Sequence, residues 1–200
     1  MPTTTCPPRT DGVVALRALT PDDVGPLLAG EDDDLARWLT GAHASESGVR
    51  RWIDDGAATW AGDWYAPGAA LSWGVCDAAT GLLAGTVEVE LSAAGLAAGE
   101  ANLSYGVFGP WRGRRYAARA VGLVVAWLGG STGASTAVIR VDPANVHSMQ
   151  VPVDAGFARD GRARRAVRFV RPVGAVSPAR PVLPPSAPGP RRAPGVPSRG

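Results

Sequence analysis

A cluster of arginines stands between two apolar stretches of the chain. Residues 110–120 read PWRGRRYAARA, with LSYGVF shortly before them and AVGLVVAWL overlapping their end. These patterns predict a strand that ends near residue 108 and a helix that begins near residue 113. The first N–H groups of a helix lack partners within it and bind phosphate, and guanidinium groups add forked donors. The segment therefore predicts a polyphosphate site, where Gly113 allows close approach of the backbone.

Two common phosphate-binding loops are missing from the chain. A GxxxxGK[ST] loop needs a lysine, whereas all 20 basic residues are arginine, and no GxGxxG motif occurs. Residues 112–117, RGRRYA, are instead similar to the acyl-CoA motif R/Q-x-x-G-x-G/A of the GNAT superfamily of N-acetyltransferases. Arg115 departs from that motif, since the family usually has glycine there.

Segments on either side extend the resemblance. Residues 101–111, ANLSYGVFGPW, are similar to the family's fourth strand, which splays to receive pantetheine. Residues 141–148, VDPANVHS, followed by DAGF at 154–157, resemble the signature PxNxxS…GF. LRALTPDDV, residues 16–24, resembles the opening of the RimJ/RimL-like branch, which contains ribosomal-protein N-terminal acetyltransferases. The resemblance covers about residues 13–165 and implies acetyl transfer from acetyl-CoA to a primary amine.

The resemblance also implies which residues hold acetyl-CoA. The backbone near the end of the fourth strand would bind pantetheine and polarise the thioester carbonyl, the arginine segment would bind the diphosphate, and an asparagine would bond the pantetheine arm. The residues implied are Val107, Phe108, Arg112, Gly113, Arg114, Arg115, Tyr116, Ala117 and Asn145.

The proton donor is unusual in this chain. Many relatives place a tyrosine seven residues after the signature asparagine, where this chain has Pro152. Proline cannot donate a proton, and inside a helix it is expected to kink or shorten it. Ser148 is the remaining donor in this segment, and the RimJ/RimL-like branch implies it as the partner of the thiolate.

The base stays open at this point. The branch often has an acid where this chain has Asn102. Glu88 or Glu90 on the preceding strand could relay the proton through water. Alternatively no base is needed, because an α-amine titrates near pH ~8.

Charge is distributed unevenly along the chain. Residues 1–110 carry 5 Arg and 15 acidic residues, and residues 111–200 carry 15 Arg and 3 Asp, with a total charge of +2. The acidic half also holds most tryptophans, and aromatic rings with carboxylates suit a cationic amine. Trp38 and Trp64, in loop-like surroundings, are predicted to contact the acceptor, whereas Trp52 and Trp60 are assigned to the core.

Other interpretations of this charge pattern remain. The acids could simply solvate helix ends and loops. An aminoglycoside-type antibiotic acetyltransferase would also use acidic loops. A basic protein that binds RNA or ribosomes without catalysis is the alternative from another class, although nucleic acid is disfavoured because no nucleic-acid module or basic–aromatic alternation occurs.

Periodicity predicts an α/β (α+β) fold whose mixed sheet has three antiparallel strands in its middle. The resemblance implies a GNAT-like mixed, mostly antiparallel central sheet flanked by helices. After Phe157 the chain is predicted to supply one short strand and part of a second, fewer than the family's strand pair, so an altered or truncated C-terminus is expected. Strands are predicted at 13–20, 69–77, 82–91, 101–108, 135–143 and 163–170, and helices at 21–29, 46–60, 113–128 and 146–155.

Composition sets the expected boundaries and surroundings. Residues 1–12 are predicted to be flexible, 13–171 to form the domain, and 172–200, with nine prolines, to be a disordered Pro/Arg-rich tail. Two cysteines and two distant histidines predict no metal site. The chain shows no signal peptide or long apolar segment, so we expect a cytoplasmic protein without membrane contact, as a monomer or homodimer.

Overall fold

One eight-stranded sheet forms the centre of the molecule. The computed structural model describes residues 6–163 and 166–174. Its strand order is β1-β2-β3-β4-β5-β6-β8-β7, and every neighbouring pair is antiparallel except β5 and β6. The predicted mixed, mostly antiparallel sheet is confirmed. The strands are β1 Arg9–Thr10, β2 Val14–Arg17, β3 Leu71–Asp77, β4 Leu83–Glu90, β5 Glu100–Val107, β6 Thr136–Val141, β7 Ala158–Ala163 and β8 Ala166–Pro172.

Five helices flank this sheet. They are α1 Val24–Gly30, which follows a 3-10 turn at Pro21–Asp23, α2 Asp33–Leu35, which continues as a π-type turn over Ala36–Thr40, α3 Glu46–Ala61, α4 Tyr116–Ser131 and α5 Val146–Asp154. Ser45 caps α3, as its position predicts, by accepting a hydrogen bond from the Gly48 N–H at 3.1 Å. The short α2 was not predicted, since three residues carry no periodicity.

The main core lies between α4 and one face of the sheet. Val121, Val124 and Leu128 of α4 are fully buried there, as predicted, whereas Ala117 is half-buried. Trp60, Trp73 and Trp127 meet edge to face, with ring centroids 4.7–5.5 Å apart. Trp64 packs against this cluster, 5.7 Å from Trp60. Trp64 is half-buried, so it belongs in part to the core, and its contact with the acceptor stays a prediction.

The C-terminal part of the domain is complete, contrary to the prediction of one short strand and part of a second. β7 and β8 form a hairpin, and β8 pairs with β6 along all six residues from Thr136 to Val141. Val167 and Phe169 point into the core. β7 was missed because it is an edge strand, and edge strands tolerate the polar and charged residues that conceal a strand pattern.

The segment predicted to be flexible at the N-terminus contributes a short strand to the sheet. Within residues 1–12, Arg9 and Thr10 pair with Leu16 and Ala15, and the Trp73 indole donates to Pro7 O at 3.3 Å. Residues 175–200, most of the predicted tail, lie outside the described residues. In the described part of the chain no helix has the length and apolar character needed to cross a membrane. The same part holds no cluster of three side chains suited to a metal ion.

Candidate active site

A gap opens between β5 and β6, which are the one parallel pair of neighbours among the described strands. β5 and β6 pair only from Glu100 to Asn102, opposite Thr136 to Val138. Beyond that point each strand stays paired on its other side, β5 with β4 as far as Val107 and β6 with β8 as far as Val141. The facing backbone edges of β5 and β6 therefore separate, as the resemblance to the splayed fourth strand implies. We call this opening the interstrand gap.

The arginine segment supplies a row of free backbone donors beside this gap. Phe108 N bonds to Ala84 O at 2.9 Å, and a 3-10 turn at Gly109–Trp111 then delivers the chain to α4. Within the described residues, the six consecutive N–H groups of residues 113–118 have no hydrogen-bond acceptor. Gly113 at φ 74° and Arg115 at φ 63° are left-handed, and left-handed residues within a turn are typical of a nest of backbone N–H groups. Such a nest binds anions, and we call residues 113–118 the amide cradle.

The backbone of Arg115 keeps the conformation that the family motif gives to glycine. Arg115 is the only non-glycine with positive φ among the described residues. Its guanidinium reaches Asp154 at 3.3 Å while staying largely exposed. The loop geometry therefore survives without glycine, at the cost of a strained arginine.

Arg112 does not point its side chain at the cradle. Its guanidinium donates to Val107 O at 2.9 Å, to Asp32 at 2.8 Å and to Asp34 at 3.5 Å. The hydrogen bond from Arg112 is the main cause of the lowered pKa of Asp32. The side chain thus ties the acidic α2 region to the end of β5. In this structure acids 78 and 80 residues away in sequence are bonded to the Arg112 fork, and its grip on the diphosphate stays a prediction.

Among the remaining residues of the motif, Arg114 is an exposed cation and Tyr116 is a buried side chain that fixes the start of α4. Arg114 is exposed and lies over the Trp111 ring at 5.3 Å. Tyr116 is buried, stacks on Trp111 and donates its hydroxyl to Asp77 at 2.5 Å. This bond raises the pKa of Tyr116. Tyr116 and Ala117 thus offer only backbone N–H groups to the cradle, and the Tyr116 side chain fixes the start of α4.

Asn145 and Ser148 lie at the start of α5, next to β5. Asn145 caps the helix, because its Oδ1 accepts from Ser148 N at 3.1 Å. The Ser148 hydroxyl lies 3.0 Å from Tyr105 Oη, and Tyr105 also donates to Ser148 O at 3.2 Å. All three side chains are half-buried. Sequence reasoning missed Tyr105, because its place in the predicted fourth strand was visible but its contact with Ser148, 43 residues away, was not.

A polar row crosses the opposite face of the sheet. Ser72, Glu88 and Ser104 are register partners on β3, β4 and β5. Glu88 accepts from Ser72 Oγ at 2.8 Å, from the Trp52 indole at 2.7 Å, and lies 3.5 Å from Ser104 Oγ. Trp52 is half-buried and packs against the smaller core cluster of Val24, Val49 and Ile53, as its assignment to the core predicts, while its indole N–H is bonded to this carboxylate. Helical spacing gave no signal for this, since a core tryptophan and a hydrogen-bonded one look alike.

Glu90 has a different setting from Glu88. It accepts from Asn102 Nδ2 at 3.0 Å, and Asn102 Oδ1 is buried without a partner in the described residues. Asn102 occupies the last pair before β5 and β6 separate. Trp38 is half-buried in the π-type turn, with the Arg37 guanidinium 4.5 Å above its ring. Of the two candidate bases, only Glu88 contacts a residue beyond the last β5–β6 pair, namely Ser104.

A row of amides beside two parting strands suits an anion such as the diphosphate of a nucleotide cofactor. The chain matches the family described as the acetyltransferase (GNAT) domain over residues 14–158, and it belongs to that family. It is an N-acetyltransferase that uses acetyl-CoA. No curated protein matches it in sequence.

Solved structures share this fold at low identity. A proposed ribosomal-protein-serine acetyltransferase from Vibrio cholerae is 18% identical with a TM-score of 0.66, over 84% of this chain and 99% of that chain. The aminoglycoside acetyltransferase AAC(6')-Ib, solved with coenzyme A, is 17% identical with a TM-score of 0.66, over 80% and 94%. An acetyltransferase from Agrobacterium tumefaciens is 19% identical with a TM-score of 0.65, over 82% and 94%. These likenesses establish the fold.

Proposed function

We propose that the chain acetylates a primary amine that enters the interstrand gap from the Glu88 side, with Ser148 on the opposite side. One observation carries this proposal. Adjacent residues Ser104 and Tyr105 point to opposite faces of β5, and they contact Glu88 and Ser148 respectively. Glu88 as a proton acceptor and Ser148 as a proton donor therefore lie on opposite faces of β5, just beyond the point where β5 and β6 part.

This arrangement suits the proton balance of acetyl transfer. When bound, acetyl-CoA supplies an activated acyl group. The nitrogen–carbon bond forms as the carbon–sulfur bond breaks, the amine loses one proton and the sulfur gains one. Glu88 would take the amine proton, directly or through water, and Ser148 would donate a hydrogen bond to the departing sulfur. Glu88 would thus serve the attacking nitrogen and Ser148 the departing sulfur, the two proton-transfer sites that addition to a thioester carbonyl and loss of the thiolate need.

Different residues would hold the two parts of acetyl-CoA, the diphosphate and the pantetheine arm. The amide cradle would hold the diphosphate through backbone N–H groups, with the exposed guanidinium groups of Arg114 and Arg115 adding charge. Asn145 keeps its Nδ2 group for the pantetheine arm, since its cap uses only Oδ1. The edge of β5 that β6 leaves unpaired beyond Asn102 would bind the same arm, whereas Val107 O and Phe108 N already bond to Arg112 and to Ala84 O.

Pairing of the acidic residues favours an acceptor of low charge. Asp32 and Asp34 bind Arg112, and Glu31 and Asp33 bind His43 at 3.1 and 3.2 Å. These four acids are the densest acidic run of the chain, and each already has a partner within the protein, although two cationic groups do not cancel four negative charges. The acids are therefore not free to receive the several ammonium groups of an aminoglycoside, and a single amine, such as a peptide N-terminus, fits better. The neighbours in fold include proteins named for both classes.

Pairing of the arginines likewise argues against the RNA-binding alternative. Arg119 binds Asp11 at 2.7 Å, Arg168 binds Glu100, and Arg112 binds Asp32. Several arginines of the basic half thus already form ion pairs within the protein. A phosphate-backbone surface would need these groups free.

A screen of acceptors tests the proposal. Thiol release from acetyl-CoA is measured with a panel of N-terminal peptides, simple amines and aminoglycosides. Glu88→Gln is expected to lower kcat/KM by about 10²-fold at neutral pH, the scale of a lost general base. Glu90→Gln is the matched control, because its partner Asn102 lies within the paired part of β5, and it should change the rate by less than about threefold. Equal losses in both variants, or no transfer to any amine, would contradict the proposal.

A further inference from the structure

Pro152 leaves a specific hole in the hydrogen bonding of α5. In a helix the carbonyl of residue 148 accepts from the N–H of residue 152, and proline has no N–H. α5 nevertheless runs through Pro152, from Val146 to Asp154. The Ser148 carbonyl is satisfied from outside the helix, by the Tyr105 hydroxyl at 3.2 Å. Pro152, which stands where relatives carry a tyrosine, thus leaves the Ser148 carbonyl free to accept from Tyr105 and to hold it against Ser148.

The same phenol also contacts the Ser148 side chain. Oη lies 3.0 Å from Oγ and 3.2 Å from O, which suits one proton shared between two oxygens. Burial raises the pKa of Tyr105 to about 12, against the opposing effect of its bond to Ser148. The phenol therefore stays protonated in the physiological range and can donate to both oxygens, although in the contact with Oγ either hydroxyl can be the donor. With Oγ accepting from the phenol, the hydroxyl proton of Ser148 is left to point elsewhere.

We propose that Tyr105 is a positioning residue that holds the Ser148 hydroxyl in the orientation in which it donates toward the interstrand gap. The inference rests on the proposed function, in which Ser148 is the group that meets the departing sulfur. Tyr105 acts through Ser148 and gives up no proton itself. Pro152 provides the second anchor, because its missing N–H makes the Ser148 carbonyl available to the phenol.

Kinetics of single and double variants separate this role from simple packing. Tyr105→Phe keeps the ring and removes the hydroxyl. With the acceptor that the screen identifies, it is expected to lower kcat about tenfold and to leave the KM for acetyl-CoA within about twofold. In a Ser148→Ala background the same change should cost nothing further, because the oriented group is gone. A further tenfold loss in that background would overturn the inference.

Thermal unfolding supplies a readout that does not depend on turnover. Tyr105→Phe leaves the Ser148 carbonyl unpaired and should lower Tm by about 2–6 °C. Adding Pro152→Ala gives residue 152 an N–H for that carbonyl and should restore Tm without restoring kcat. Restoration of both would assign Tyr105 a structural role and overturn the inference. A wild-type protein without transferase activity would contradict the proposed function and the inference together, whereas an active wild type with additive losses contradicts the inference alone.

Discussion

Arg115 offers a quantitative test of the loop that forms the amide cradle. Its φ of 63° costs an L-residue roughly 1–2 kcal/mol, and glycine escapes this cost. Glycine in turn loses about 0.5–1 kcal/mol more chain entropy than alanine on folding. Arg115→Gly and Arg115→Ala both lose the pair with Asp154, which is weak because the arginine side chain is 69% exposed. The balance leaves Arg115→Gly more stable than Arg115→Ala by about 0.5–1 kcal/mol.

Urea unfolding of the two variants measures this difference. The matched control is Arg119, which lies in α4 and pairs with Asp11 in the same exposed manner. There the order should reverse, with Arg119→Ala more stable than Arg119→Gly by about 1 kcal/mol. If Arg115→Ala equals or exceeds Arg115→Gly in stability, residue 115 is not left-handed, and the argument for a nest of amides is refuted.

Two further predictions concern the ion pairs that position the site. Arg112→Ala and Asp32→Ala should each lower stability by less than about 1 kcal/mol, because both side chains are over a third exposed, and the double variant should lose no more than either. Acetyl-CoA affinity, measured by calorimetry, should fall equally little in both; abolished binding in Arg112→Ala alone would mean that its guanidinium grips the diphosphate. Asp23, 4% exposed, receives two 2.7 Å bonds from Arg17. Burial raises its pKa, but the bonds from Arg17 and Thr20 outweigh burial and lower it below 3.8. The pair therefore stabilises the fold above that pH and loses its contribution as pH falls through the lowered value. Asp23→Asn should lower the free energy of unfolding by about 2 kcal/mol at pH 7. In melts at a series of pH values it should also reduce the loss of stability at acid pH, and an unchanged loss would show that Asp23 does not cause it.

The sequence predicts what depends on local pattern. Ser45 as a cap, the buried face of α3 and the strand–loop–helix order around residue 112 all follow from spacing between near neighbours. The motif residues Asn145 and Ser148 also fall together at the start of α5. The site roles assigned to them remain predictions.

Contacts between distant segments lie beyond such patterns. Arg112 meets Asp32 because α2 packs beside the end of β5, and no local periodicity encodes that approach. The hydrogen bond from Trp52 to Glu88 spans 36 residues, and the bond from Tyr105 to Ser148 spans 43. In each case the residue type was visible and the partner was not. Arg115 is a separate case, since only the loop geometry shows that an arginine occupies a glycine conformation.

Backbone amide resonances give the most direct test of the central claim, that residues 113–118 bind the diphosphate through their N–H groups. A titration of ¹⁵N-labelled protein with coenzyme A should shift the amide signals of these residues most, and they should saturate together. The guanidinium signal of Arg112 should stay near its starting position, since Asp32 and Val107 hold it. Large shifts confined to other segments, with the amides of 113–118 unmoved, would contradict the account.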